Sequence, residues 1–216
     1  MRSPGRLRTV EDRLREEYGL LAAEMKRVCS ELETRVRHCL LPLSRSLTGH
    51  ERIDVRSRVK DCESAIASLR RKKEGNQFNP QRPGKYTLTD LYDLAGVRVG
   101  VFPRTRVKEV EGILRTEFRN WTPKHVPDPS GPHLPPLAFK YHGTCLASRE
   151  ILGEYQVMPL MTSLYWEVQH AAIYKGNAGI AIQMRVKEAA VLEAMRQFEE
   201  EFERLLLQEQ TLHGPE

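Results

Sequence analysis

Four stretches of this 216-residue chain carry residue types whose spacing suits phosphate chemistry. In the first, Arg58-Val59-Lys60 is followed by Ser64 and Arg71. Cations at a strand end beside a helix N-terminus can grip a polyphosphate, although basic strand ends are also common as plain solvated charge. In the second, Asp93 precedes Leu94-Ala95-Gly96-Val97-Arg98. A lone carboxylate before a strand is ordinarily a cap or turn residue. It gains meaning when a second one converges on it, because paired carboxylates hold magnesium, which in turn binds phosphate oxygens. The third is Lys140-Tyr141-His142-Gly143-Thr144, where an aromatic ring flanked by cations can stack a base and reach phosphate, or simply begin a strand. The fourth runs Glu154-Tyr155-Gln156-Val157-Met158, then Trp166, His170, Tyr174 and Lys175. Glu154 and Gln156 alternate with apolar neighbours and so share one sheet face. If that face lines a cleft, Glu154 is the second carboxylate that Asp93 needs. His170 has no second histidine at ligand spacing and reads as a hydrogen-bonded helix residue.

The elements that must position these residues follow from periodicity. Residues 9–47 read as a helix, with Leu14, Tyr18, Leu21, Met25, Val28, Leu32, Val36 and Leu40 three or four apart and Pro42 bending or ending it. Residues 53–60 alternate as a half-buried strand, and Asp61 caps a helix that ends in Arg70, Arg71, Lys72 and Lys73. Residues 75–85 read as a mobile loop, and 87–94 as a short helix with a Thr-x-x-Asp start. Residues 95–102 (AGVRVGVF) are the strongest strand pattern, with a helix over 105–118 and a long proline-rich loop over 120–137 after it. Strands over 141–148 and 155–160 read as a hairpin closed at Gly153. Helices over 161–175 and 180–208 complete the chain. The sum is an α+β (α/β-like) fold with a central mixed sheet of about five strands, flanked by helices and carrying long N- and C-terminal helices. Residues 1–50 read as a helical arm, 51–178 as the core, and 179–216 as a C-terminal helix with a frayed tail.

Composition narrows the class. With 40% hydrophobic and 29% charged residues the chain reads as globular. No apolar run approaches the roughly 20 residues of a membrane span. The basic N-terminus has no apolar stretch after it, so no secretory leader is expected. Cys29, Cys39, Cys62 and Cys145 form no CxxC pair, which argues against a zinc site or a disulfide framework and fits a reducing cytoplasm. A net charge of +5 favours an anionic ligand. The basic residues are interleaved with acids rather than clustered with aromatics, which disfavours a nucleic-acid-binding module.

Taken in order, the four stretches resemble the synthetase domain of the RelA/SpoT family over roughly residues 53–175, and the chain looks like a small stand-alone member. The matching blocks are Arg58-x-Lys60 with Ser64, Asp93 to Arg98, Lys140 to Cys145, Glu154-x-Gln156, and His170 with Tyr174 and Lys175. The resemblance implies a nucleotidyltransferase-like synthetase fold and magnesium-dependent transfer of pyrophosphate from ATP to the 3′-hydroxyl of GDP or GTP, giving AMP and a guanosine alarmone. It implies that Asp93 ligates the metal, and that Glu154 contacts the metal or orients and deprotonates the hydroxyl. It places Arg58 and Arg98 on either side of the adenine, and Lys60, Ser64 and Arg71 on the ATP phosphates. Tyr141 would stack on the guanine, with Lys140, His142, Gln156, His170 and Lys175 on the acceptor side. The terminal helices are, by the same resemblance, candidates for self-association.

The departures gather on the acceptor side. Lys140 stands at the block's glycine, His142 and Gly143 at its arginine and serine, and Cys145 at its histidine. Two readings therefore compete with alarmone synthesis: a related pyrophosphokinase with another acceptor, nucleotide or tRNA, and a nucleotide-binding protein without turnover.

Overall fold

The computed structural model describes residues 9–75, 77–129, 131, 133–175 and 178–213, with backbone alone at 170, 172–175, 178–181, 184, 185 and 209–213. Helix α1 (Val10–Arg45) opens with a capping box in which Thr9 and Asp12 satisfy each other's backbone N–H groups. Its stripe of Leu14, Met25, Leu32, Val36 and Leu40 is fully buried. The helix runs through Pro42 to Arg45 instead of ending there. Proline in a last turn has few residues after it to displace, so the kink it would force elsewhere has little to act on.

Strand β1 (Arg52–Val59) leads to α2 (Cys62–Glu74), capped by Asp61, which accepts from the Ser64 N–H at 2.9 Å. Gly75 ends α2 with φ at +74°, a conformation that side chains disfavour. Strand β2 (Ala95–Phe102) matches its expected bounds, and α3 (Val107–Glu117) follows a 3-10 turn. The proline-rich stretch contains a two-residue strand, β3 (Thr122–Pro123), and a bridge between Val126 and Ala138. Strands β4 (Phe139–Cys145) and β5 (Ser148–Pro159) precede α4 (Leu160–Lys175) and α5 (Ala178–His213).

The five strands order as β1-β2-β5-β4-β3. Only β2 and β5 pair in parallel, which makes the sheet mixed. Helices α1 and α3 pack on one face, α4 covers the other, and α5 lies on α4. No helix among the described residues is long and apolar enough to cross a membrane.

Three local expectations are corrected. The β4–β5 hairpin turns at residues 146–147, and Gly153 lies inside β5 opposite Gly143. A Cβ at Gly143 would come within 2.5 Å of the Trp121 ring, and one at Gly153 within 3.2 Å of it. Gly143 makes room for the indole, and Gly153 for Cys145, Leu32 and the edge of the same ring, rather than for a turn. The 87–94 segment holds only a 3-10 turn, Leu88–Asp90, and Thr87 does not cap it. Its hydroxyl donates instead to Glu17 of α1 at 2.5 Å, and Glu17 also accepts from the Leu88 N–H at 2.8 Å. The 75–85 loop is tied down: Tyr86 is fully buried against Phe78, accepts from the Asn79 N–H and donates to Glu74.

Helix α5 carries a buried carboxyl where it meets the 3-10 turn before α3. Glu199 is fully buried with Arg104 Nη1 at 3.5 Å. Burial lifts its carboxyl to about 7, against the opposing pull of Arg104.

Candidate functional site

Register, more than any single residue, builds the site. One row across the sheet reads Arg58, Gly96, Glu154, His142, and the next reads Arg56, Arg98, Gln156, Lys140. Strand alternation sends both rows to the same face, the one that α4 covers further along. The result is a charged floor at the end of a sheet whose other face is apolar.

Gly96 leaves a gap in that floor. A Cβ there would sit 3.2 Å from the Glu154 carbonyl. Above it lies a cavity of about 180 Å³ walled by Arg58, Arg98, Asp93, Glu154, Gln156 and Glu167. Two wider clefts join it. One, of about 620 Å³, is lined by Arg58, Lys60, Ser64, Arg71, Asp93 and Lys140, among others. The other, of about 390 Å³, is lined by Lys72, Tyr92, Lys124, His125, Lys140 and Glu154, among others. Asp93 borders all three spaces, and Glu154 borders the first and the last.

The two carboxylates are held differently. Asp93 accepts from Lys60 Nζ at 2.5 Å. Lys60 is fixed through its backbone, whose N–H donates to the Leu94 carbonyl and whose carbonyl accepts from the Tyr18 hydroxyl. Glu154 is buried and accepts a short hydrogen bond from Gln156 Nε2. Gln156 is 8% exposed, and its Oε1 has no partner among the described residues.

Arg98 donates to the Ser163 carbonyl at 3.4 Å and stands 3.9 Å from Glu167. Its burial, with Arg58 close by, lowers its pKa from the usual arginine value. Burial likewise lowers Lys140, while Glu154 and Asp93 pull the other way. The Lys140 ammonium lies 5.5 Å from the Trp166 ring centre. Burial lowers His142, favouring its neutral form, and its ring stacks on Tyr92 at 4.3 Å. Ser64 is buried at the start of α2, and Arg71 bonds Ser68 in its last turn.

The structure thus brings together Arg58, Lys60, Ser64, Arg71, Asp93, Arg98, Lys140, Glu154 and Gln156, with His142 on the same face. It does not bring Tyr141 to them. That ring is on the core face, 4% exposed and stacked on Tyr155, and its hydroxyl donates to Glu111 of α3. One step along a strand reverses the face, so a base in the cleft cannot stack on it. His170 and Lys175 lie on α4, and their side chains fall outside the described residues.

Tyr92, Lys72, Arg56 and Glu167 are site residues that sequence reasoning missed. Tyr92 holds His142 and has the Lys72 ammonium 3.8 Å from its ring centre. Glu167 pairs with Arg56 at 2.7 Å. Arg56 was findable, since it shares the parity of Arg58. The others depend on loop and helix placement.

Among the described residues no three His, Cys, Asp or Glu side chains converge as a metal site by themselves. Magnesium is ordinarily held by one or two carboxylates plus substrate phosphates. Asp93 and Glu154 bordering the same cavity fit that donor set.

No protein-family model matches the chain, and no curated protein does. Solved structures do. The small alarmone synthetase 1 from Bacillus subtilis is similar with a TM-score of 0.62 and 19% identity, covering 91% of this chain and 99% of that one. The same synthetase bound to its product pppGpp gives 0.64 at 15% identity, covering 90% and 99%. A GTP pyrophosphokinase family protein from Streptococcus pneumoniae gives 0.57 at 20%, covering 93% and 98%. At such identities the likeness establishes the fold: this chain has that of the small alarmone synthetases.

Proposed function

We propose that the chain transfers pyrophosphate from ATP to the 3′-hydroxyl of GDP or GTP, releasing AMP and a guanosine alarmone. The observation that carries this reading is the meeting of Asp93 and Glu154 at one cavity, with Arg58 and Arg98 on one side and Lys72, Lys124 and Tyr92 on the other. Asp93 and Glu154 are the residues that would hold magnesium, which when bound neutralises phosphate oxygens. Arg58 and Arg98 hold the donor base between flat guanidinium groups, which stack without losing their donors. Lys60, Ser64 and Arg71 line the cleft for the donor's phosphates. Glu154, oriented by Gln156, accepts the proton of the attacking hydroxyl. Such a transfer depends chiefly on in-line placement and charge neutralisation, and this cleft is built from cations around two acids.

A specific observation favours a second reading, the same chemistry with another acceptor. Tyr141 faces the core, while His142 lies opposite Glu154. The acceptor base then has no tyrosine from this strand, and Tyr92 with His142 is the aromatic surface left to it.

One assay separates the readings. Purified protein is incubated with labelled ATP, magnesium and, in turn, GDP, GTP, ADP and tRNA, followed by chromatography. A labelled guanosine product with stoichiometric AMP is the expected result. Label on another acceptor selects the second reading, and ATP binding without any transfer overturns both. Self-association belongs to the same proposal: Phe198, Phe202, Leu205 and Leu207 of α5 are exposed, and a monomer by sedimentation would dismiss it.

A further inference from the structure

The buried amide of Gln156 carries information that the transfer chemistry does not use. Its Nε2 donates to Glu154. A carboxylate only accepts, so the amide cannot be turned around: the NH₂ end faces Glu154 and the carbonyl end is left over. That carbonyl oxygen is buried and has no hydrogen-bond partner among the described residues, in a side chain only 8% exposed. A buried polar atom without a partner is costly. Gln156 sits in the row between Arg98 and Lys140, yet neither cation bonds it. It borders the cavity above Gly96 and the phosphate cleft, and it is absent from the lining on the Tyr92 side.

The cavity above Gly96 suits a flat ring. Its floor lacks a side chain, and Arg58 and Arg98 rise from neighbouring strands beside it. A ring lying there presents its edge toward Gln156 on the next strand.

We infer that Gln156 determines which nucleoside triphosphate serves as donor, its fixed carbonyl accepting a hydrogen bond from the exocyclic amine of adenine. The inference rests on reading this cleft as a nucleoside-triphosphate site, and moves Gln156 from the acceptor side to the donor side. Guanine carries a carbonyl at the ring position where adenine carries the amine. It would set two acceptors against each other, with Gln156 unable to rotate because Glu154 holds its other end. A site built to accept from an N–H rejects the analogue that lacks it, because its own buried group is then left unpaired.

The test is binding, read by calorimetry on the full chain with magnesium present. The probes are ATP, purine riboside triphosphate (ATP without its amine), GTP, and 2′-deoxy- and 3′-deoxy-ATP. Loss of the amine should weaken binding by about tenfold, GTP should bind more weakly still, and both deoxy nucleotides should bind as ATP does. In Gln156→Met, ATP and the amine-free analogue should bind alike, at the weaker level. Equal binding of the two by the unmodified chain overturns the inference without touching the proposed function. So does discrimination that follows a missing sugar hydroxyl, since the carbonyl then reads ribose. Failure of ATP to bind at all removes the donor site and the proposed function together. The nucleotide series needs no variant, so the inference stays testable if Gln156→Met does not fold.

Discussion

Strands β4 and β5 present two opposite surfaces from alternate residues. Toward α1 and α3 they offer Tyr141 and Tyr155, whose rings stack at 5.0 Å, with Phe118 and Trp121 completing an aromatic cluster at 4.8–5.6 Å spacings. Toward the cleft they offer Lys140, His142, Glu154 and Gln156. On the first surface almost every group finds contact, and the residues are specified by shape. On the second, the Gln156 carbonyl and His142 Nδ1 are buried without partners among the described residues, and Lys140 is held against the cost of desolvation. Leaving polar groups unsatisfied weakens a fold. In the cleft a bound ligand can supply the partner that the Gln156 carbonyl lacks.

Substitutions one residue apart should therefore fail in different ways. Glu154→Gln should lower alarmone synthesis by about 10²–10⁴-fold with little change in the unfolding midpoint. An active variant would dismiss the proton-accepting role. Tyr155→Ala should cost about 3–5 kcal/mol of stability, measured by denaturant unfolding. Any activity loss in it should track the unfolded fraction alone.

Glu199 sharpens the comparison from outside the cleft. Burial lifts its carboxyl to about 7, so between about pH 4.5 and 7 the folded chain holds a proton that the unfolded chain has released. Its contribution is full at the acid end and is lost as pH rises through 7, a change of about 3 kcal/mol at most. Glu199→Gln should flatten the dependence and melt higher than the parent at pH 8. Equal midpoints at pH 5 and 8 for the parent would refute this.

The smallest effect returns to Tyr155, whose buried hydroxyl also has no partner among the described residues. On the packed face no ligand is available to satisfy it. Tyr155→Phe should raise stability by about 1 kcal/mol with catalysis unchanged. A destabilised variant would mean the hydroxyl does find a partner in solution.

How much of this could be read from the sequence depended on the range of each contact. β2 was legible to the residue because its alternation is local, and so were the α1 stripe and the Asp61 cap. The shared face of Glu154 and Gln156 also followed from parity within one strand. Tyr141 was misplaced because its face depends on the pairing of β4 with β5, which parity within β4 alone does not fix. Gly153 suggested a turn, but the space for its Cβ is taken by Cys145 with Leu32 and Trp121, the last two far away in the chain. The Lys60–Asp93 pair spans a similar distance and depends on α1 holding both segments. Spacing and parity in the sequence point to many of the residues that line the cleft, and the fold decides which of them meet.

The placement of β5 has one more consequence. Glu154 lies on a strand hydrogen-bonded on both sides, by β2 and β4, whereas Asp93 follows a single 3-10 turn tethered to Glu17. Amide exchange should be slowest around 153–158 and fast around 88–93, because strands paired on both sides open only with the whole molecule and short turns open locally. Of the two acids, one is set in the stiffest part of the chain and the other rides on a segment that can yield. Adjustment to an arriving nucleotide would fall almost entirely on Asp93.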